Sequence, residues 1–477
     1  MKKNYILLVL TIVFCSLVNT AIVAQSGNGH DPDLVLSYTP SGYSAATTMR
    51  QDDGYTSFSK NTINNNGGDT ELFVNFTFDT SGMSVFCVYT TNSSVPTKSN
   101  GISVSGSFSN FADPNRTWTV SIPSSANTAG TTVEYIFYIS NTDLASGFGR
   151  VTPGGGYQTS WTEGDEIGYR YITYDSNVSG GGNWSSTSTW NSSSVPNSTS
   201  TPVEIIGTNA VTLDQDADVQ NLILISSSIF NLSGGNGLTI NGNLSNSGTL
   251  TANSGSSLRV TGTSSGNITY NRNLGTTNWY LISSPVTDQD IDAFASAEGL
   301  AIGTGSNRGL GAYNNSTAGW DYYQDGASGT GDFTVGTGRS IKLASSGDIS
   351  FTGTMSVADV GVSISSNSNG FNLVGNPYPS FIAANNNGDA TNNVLKINDS
   401  DSDFLTESTI WFWDESTGSY DQINQASSAF YIAPAQGFFV SSNGSNMLSI
   451  TEEMQSHQST GSFQRNSDTS RPEIVLT

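Results

Sequence analysis

Histidine is nearly missing: 477 residues contain two, His30 and His457. A Ser-His-Asp or Cys-His arrangement needs an imidazole in a cleft, and a His-based zinc site needs several. His30 closely follows a leader-like segment and His457 sits in a polar stretch, so neither chemistry is expected. Cysteine is as scarce. Cys15 lies within the leader-like segment, and Cys87, inside Val85-Phe-Cys-Val-Tyr89, reads as a buried thiol with no disulfide partner. Basic residues number 16 against 39 acidic ones, a net charge of −23. Counterion release from a phosphate backbone needs clustered Lys and Arg, so nucleic acid is not expected as a partner, and an anionic membrane surface is disfavoured for the same reason. No apolar run after residue 24 approaches the ~20 residues of a membrane-spanning helix, so no transmembrane helix is expected in the mature chain.

What stands in place of charge is Ser, Thr, Asn and Gly, with charged residues at only 12%. The 22 Phe, 19 Tyr and 8 Trp supply apolar surface that a disordered chain would lack. The start has the layout of a secretory signal peptide, 1–24: Lys2 and Lys3, an apolar run over 6–18, and Ala24-Gln25 as the cleavage point. Cys15 follows Phe14 rather than a small residue, which argues against a lipoprotein.

The mature chain reads as all-β. Leu72, Val74, Phe76 and Phe78 share one face at period 2, and 85–89, 117–122, 133–139 and 169–174 follow the same logic. Residues 33–174 are therefore expected to form an immunoglobulin/fibronectin-like sandwich. A connector over 175–202 carries Trp184 and Trp190, which a flexible linker would not need, so it is expected to cap the segment after it. Over 203–274 short apolar pairs alternate with Asn-Gly, Ser-Gly and Gly-Gly turns, the pattern of a short β-solenoid, with a meander as the alternative.

Residues 275–454 repeat internally. WYLISSP at 279–285 is echoed by FNLVGNPYP at 371–379, with Leu281 and Leu373 offset by 92. Tyr313 to Trp320 answers Trp413 to Tyr420 at an offset of 100, and Gly338-Arg-Ser-Ile341 answers Gly437-Phe-Phe-Val440 at 99. The offsets place an insertion of about eight residues in the polar run 385–407. Two copies are too few for a propeller, so a duplicated β-sandwich is expected, with repeats at about 279–355 and 371–454. Residues 291–298 could form one short helical turn. The end, 455–477, reads as a polar linker followed by Arg471-Pro-Glu-Ile-Val-Leu-Thr477, a strand just beginning, so a further C-terminal module is expected beyond it.

Three constellations could carry chemistry. Asp399, Asp401 and Asp403 alternate, as calcium-binding oxygens do; Phe404 and Ile410 stand where an EF-hand would want Gly and Glu, so at most a loop site is expected, and calcium is the one cofactor considered. Asp214, Asp216 and Asp218, and Asp288, Asp290 and Asp292, are weaker versions. Aromatic rings could stack on a glycan. Rings that recur in both copies, Tyr313 with Trp413 and Trp320 with Tyr420, are expected in the core, whereas Trp411 and Tyr322 have no aromatic counterpart and are the exposed candidates. Two carboxylates suffice for a glycosidase, but the acidic residues fall mostly in turn segments, and no catalytic residue is assigned.

The segments GNWSSTSTW, VTLDQDADVQNLIL, YNRNL, WYLISSPV, FNLVGNPYPSFI and IAPAQGFFV together resemble the modular surface proteins exported by type IX secretion in Gram-negative bacteria. The resemblance covers roughly 182–477. It implies passage through the outer membrane, a cell-surface location when the C-terminal sorting domain of the class is present, and an adhesin-like role that touches a glycan or protein surface without catalysis. A carbohydrate-binding protein is the neighbouring reading, and a secreted polysaccharide-degrading enzyme is the rival.

Overall fold

The computed structural model describes residues 70–75, 82–92, 94–108, 117–127, 131–152, 156–158, 160, 162–163, 169–172 and 174–458. The leader, residues 33–69, Phe76, Phe78 and 459–477 lie outside the described residues. The chain is all-β and divides into two compact units, 1–176 and 177–477.

In the first unit the strand Ser84–Thr90 pairs with Ile102–Ser105 on one side and with Thr132–Ser140 on the other. A second sheet sets Thr117–Ile122 between Thr70–Asn75 and Ser107–Phe108. The period-2 residues of both sheets meet: Leu72, Val85, Cys87, Tyr89, Trp118, Val120, Val133, Tyr135 and Phe137 form one core. Cys87 is sealed in it, and burial pushes its thiol well up.

The second unit opens with a parallel β-solenoid of about three turns. Three ladders run along it. One stacks Val203–Ile205, Leu222–Leu224, Leu244–Asn246 and Ser264–Ser265. A second stacks Val211–Leu213, Ile229–Leu232, Thr249–Ala252 and Ile268–Leu274. The third stacks Ala217–Val219, Gly237–Ile240 and Ser257–Val260. The apolar pairs fill the interior because alternate side chains of a short strand point the same way; each fully buried Leu or Ile contributes ~1.5–3 kcal/mol. Side-chain amides stitch the corners: Asn221 Oδ1 accepts from the Asn243 amide, and Asn243 Oδ1 from the Thr263 amide.

Gly182–Asn183 adds in parallel to Val211–Leu213 and so begins the stack one rung early. Trp184 and Trp190 are both buried and packed edge to face at 4.6 Å, with Trp184 also on Phe230. Their indole N–H groups donate to the Pro196 and Trp184 carbonyls, which satisfies two polar atoms that burial would otherwise penalise. The connector caps the open end.

The duplicated module comes next. In the first copy Tyr280–Ser283 pairs with Gly338–Ile341, which pairs with Asn307–Asn314, which forms a hairpin with Gly319–Gln324. The second copy repeats this order with Phe371–Gly375, Gly437–Ser441, Thr409–Asp414 and Ser419–Asn424. Each four-stranded sheet is accompanied by an antiparallel strand pair: Ile268–Leu274 with Gly347–Gly353, and Val360–Ile364 with Asn446–Ile450. The first copy therefore begins at 268, not 279, and its opening strand is also the last rung of the solenoid. The boundary expected at 274/275 falls at the end of this shared strand. The helix Ile291–Ala297, capped by Asp290, sits inside the first copy.

The copies meet along a seam with internal two-fold character. Ile282 bridges Gln436, and its mate Val374 bridges Thr337. The Ser283 amide donates to Ala435 and the Gly375 amide to Gly336, at 3.1 and 2.8 Å; 283 and 375 differ by 92, 336 and 435 by 99. Gly338 and Gly437 occupy matching close approaches. A Cβ at Gly338 would lie 2.8 Å from the Val374 carbonyl oxygen, and one at Gly437 2.9 Å from that of Ile282.

Asn376 fixes the stretch GNPYP beside this seam. Its amide nitrogen donates to the Ser380, Ile432 and Ala433 carbonyls while its oxygen accepts from the Tyr378 amide. Tyr378 in turn donates its hydroxyl to Ala358 and Ile450, and Pro379 accepts from the Leu258 amide of the solenoid.

Residues 455–458 are not linker. Gln455–Ser456 pairs with Phe381–Ala383, and His457 lies against Gly237, where nothing larger than hydrogen would leave room for the ring. Both imidazole nitrogens are engaged, Nδ1 with Ser257 Oγ at 2.7 Å and Nε2 with Thr239 Oγ1 at 2.8 Å.

Candidate functional site: two aromatic clefts on the duplicated module

Alternation in the four-stranded sheets sends Ile282, Val374, Phe412 and Val440 inward and leaves Leu281, Leu373, Trp411 and Phe439 on the opposite face. On that face the two copies combine into one layer, to which Tyr313, Trp320, Phe371 and Trp413 add half-buried rings.

Two clefts open in this layer. One, of about 230 Å³, is lined by Tyr313, Trp320, Asn369, Phe371, Trp411, Tyr420 and Phe439. The other, of about 260 Å³, is lined by Trp279, Leu281, Trp320, Tyr322, Ser340, Trp413 and Tyr420. Trp320 and Tyr420 belong to both, and they are each other's counterparts in the repeat. The linings correspond in the same way: Phe371 matches Trp279, Tyr313 matches Trp413, and Phe439 matches Ser340. The clefts are the same place seen twice.

Besides Phe439 against Ser340, the linings have diverged at a cross-strand pair. Gly311 stands opposite Tyr322 in the first hairpin, and Trp411 opposite Gln422 in the second. The Tyr322 ring lies over Gly311, 3.2 Å from where a Cβ would be. Each hairpin thus supplies one large ring at this level, from opposite strands.

Trp411 and Tyr322, the two stacking candidates, are therefore brought to sister clefts. The expectation that Trp411 is exposed is corrected: it is buried at 8%, with Phe371 edge-on at 5.0 Å. The recurring rings are not interior either. Tyr420 is 44% exposed, and Tyr313, Trp320 and Trp413 are half-buried cleft walls. Partial burial, with the Tyr313 phenol nearby, pushes Tyr420 up to about 12, so it stays neutral. Tyr313 donates to Asn369 Oδ1 at 3.2 Å, and Trp413 Nε1 donates to the Trp279 carbonyl at 2.9 Å. These bonds fix one wall of each cleft.

Asp399, Asp401 and Asp403 are not gathered into a ligand set. Among the described residues no group of three or more His, Cys, Asp or Glu side chains could hold a metal ion. The reason is Asn398. It is buried, donates to the Val394 and Ser449 carbonyls and accepts from the Ser449 amide, which anchors a π-helical turn, Lys396–Ser400, that the polar run conceals. Asp401 pairs instead with Lys396 Nζ at 3.2 Å. The weaker acidic groups serve local structure. Asp214 accepts from Ser185 and Asp216 from the Gly237 amide, Asp290 caps the helix, Asp288 accepts from the Thr287 and Thr354 hydroxyls, and Asp292 accepts from Thr330.

His457 is corrected as well: it is packed on the solenoid, not loose in a tail. Ser257, His457 and Asp216 share the residue types of a nucleophilic triad in name only, since Ser257 is 1% exposed and Asp216 is bonded to backbone.

A duplicated β-sandwich fused to a β-solenoid through one shared strand, with paired aromatic clefts on the duplication, is the class that fold and site define. The chain belongs to the family described as a domain of unknown function, DUF8693, whose model matches residues 174–475. Solenoid and duplicated module thus fall within a single family unit. No curated protein matches the chain, and no solved structure does.

Proposed function

We propose that this is an exported, cell-surface, non-catalytic protein of adhesin-like character that holds its ligands through the paired aromatic clefts. The observation that carries this reading is the sharing of Trp320 and Tyr420 between two clefts that the duplication placed side by side. Aromatic-lined concavities with a few polar groups are the usual form of a ligand site. The signal-peptide layout and the resemblance to type IX passengers support the location, and the engagement of both His457 nitrogens in packing takes that imidazole out of acid–base chemistry.

In the cleft of Trp279 and Tyr322 the two rings are tilted by 45° at 5.7 Å, and the lining also holds the Tyr322 hydroxyl and Ser340, whose hydroxyl donates to the Gly311 carbonyl and keeps its lone pairs as acceptors. This combination suits a neutral sugar, whose C–H face stacks on a ring while its hydroxyls reach polar atoms. A glycan array read with the unaltered chain and with Tyr322→Ala is the test. Retention of a defined glycan set by the first, with at least about tenfold weaker signal in the second, is the expected result. Release of reducing ends from a polysaccharide panel, abolished by one carboxylate substitution, would replace this reading with the enzyme.

A further inference from the structure

The Trp411 cleft differs from its sister in geometry, and the difference points to another ligand. Phe439 is its hub. Tyr313, Trp320, Tyr420 and Phe371 stand at 86°, 81°, 80° and 89° to that ring, with centroids 4.9 to 6.3 Å away, and Trp411 stands at 83° to Phe371. A flat sugar needs one broad open ring face. Upright rings around a hub instead surround a compact group from several directions.

Charge narrows the choice. None of the lining side chains is an acid or a base at neutral pH, and the only polar groups besides the phenols and the indoles belong to the exposed Asn369. Ring faces carry partial negative charge and attract cations, most strongly when the cation needs no hydrogen bonds in return. The chain as a whole carries −23, which raises the local concentration of cations and lowers that of anions. An ammonium with N–H groups would lose hydration there with few acceptors to replace it, namely two phenol oxygens and an Asn369 Oδ1 that Tyr313 already engages. A quaternary ammonium has no N–H to satisfy.

We propose that the Trp411 cleft is an aromatic cage for a trimethylammonium group of the choline class. The proposal rests on the reading of the clefts as the ligand-holding face, and assigns one of them a chemistry that the other lacks. Phe439 supports the group from below, Trp411 and Phe371 close one side, and Tyr313 and Trp320 the other. Tyr420 stays neutral at the rim, and Asn369 can bond a choline hydroxyl. In the sister cleft Ser340 replaces Phe439, so the hub is missing and the preference should be absent.

The test compares choline with 3,3-dimethylbutan-1-ol, its uncharged carbon analogue of the same shape, by tryptophan fluorescence and titration calorimetry on the full chain. Choline is expected to bind at least about tenfold more tightly than the analogue, with the preference lost in Phe371→Ala. Equal affinities would reduce the cleft to an apolar pocket and overturn the proposal, as would no binding of choline. If Phe371→Ala does not fold, the comparison of the two ligands on the unaltered chain decides alone. Phosphatidylcholine vesicles present the same group on a lipid: pelleting with them that free choline blocks supports the cage, and pelleting indifferent to choline counts against it. The glycan array is read separately, so failure of the sugar reading and failure of the cage are distinguishable.

Discussion

Where the first hairpin sets Gly311 against Tyr322, the second sets Trp411 against Gln422. Beside them Ser340 in one copy answers Phe439 in the other. Strand order and the paired backbone bonds across the seam match in the two copies, although the first hairpin carries an irregularity between Asn307 and Gly311 that the second lacks, and the side chains facing the clefts differ. The contrast teaches where the duplication is constrained. Strand order, the paired amide bonds to Gly336 and Ala435 and the close approaches at Gly338 and Gly437 are demanded by two sheets meeting at van der Waals distance. The cleft linings pack ring against ring beside open space, a looser demand that the two copies meet with different side chains.

The largest expected effect breaks the seam. Gly338→Val and Gly437→Val each force a side chain into backbone of the other copy and should each destabilise by roughly 3 kcal/mol, at the top of the range for overpacking. Urea unfolding measures both, and similar losses are expected because the sites are mates. A loss confined to one would show that the seam is not two-fold in energy.

A smaller effect sharpens the contrast. Trp413→Ala removes a half-buried ring and its bond to the Trp279 carbonyl and should cost about 2 kcal/mol; Tyr313→Ala, at the matching position, loses a smaller ring and a bond to an exposed amide and should cost about 1 kcal/mol. Equal losses would mean that the two walls have not diverged in their structural role.

The smallest effect concerns pH. Burial holds the His457 imidazole below its ordinary 6.5, reinforced by Arg259 and opposed by Asp216 and Asp218. The folded chain therefore prefers the neutral ring, and the unfolded chain takes up the proton first as pH falls. The stability from this docking is full above 6.5 and is lost progressively below it. Between about pH 7 and pH 5 the melting temperature of the unaltered chain should fall more steeply than that of His457→Gln. Parallel slopes would show that His457 contributes nothing to the pH dependence.

The duplication was legible because offsets of 99 and 100 kept glycines, rings and turn residues in step. The solenoid was legible because short apolar pairs between Asn-Gly turns have few other uses. The shared strand was not. Ile268, Tyr270, Arg272 and Leu274 alternate as a last rung would, and nothing local announces that the other edge pairs with Gly347–Gly353, more than 70 residues on. Trp411 was misplaced for a related reason. Alignment of the copies set it against a glycine, yet the ring that replaces it comes from the neighbouring strand, so the correspondence exists across the hairpin and not along the sequence. His457 obeyed the same rule: its polar neighbours describe a tail, and its partners Ser257 and Thr239 lie about 200 residues earlier.

The double employment of Ile268–Leu274 also sets an order of events. As the chain emerges from its N-terminal end, the solenoid can stack its rungs one after another from nearby residues. Its last strand remains an open edge until residue 353 has been delivered, and such distant pairings form slowly because a long loop must close first. Until then the unpaired backbone of that strand can join a wrong partner, and the arrival of the first sandwich copy closes that edge.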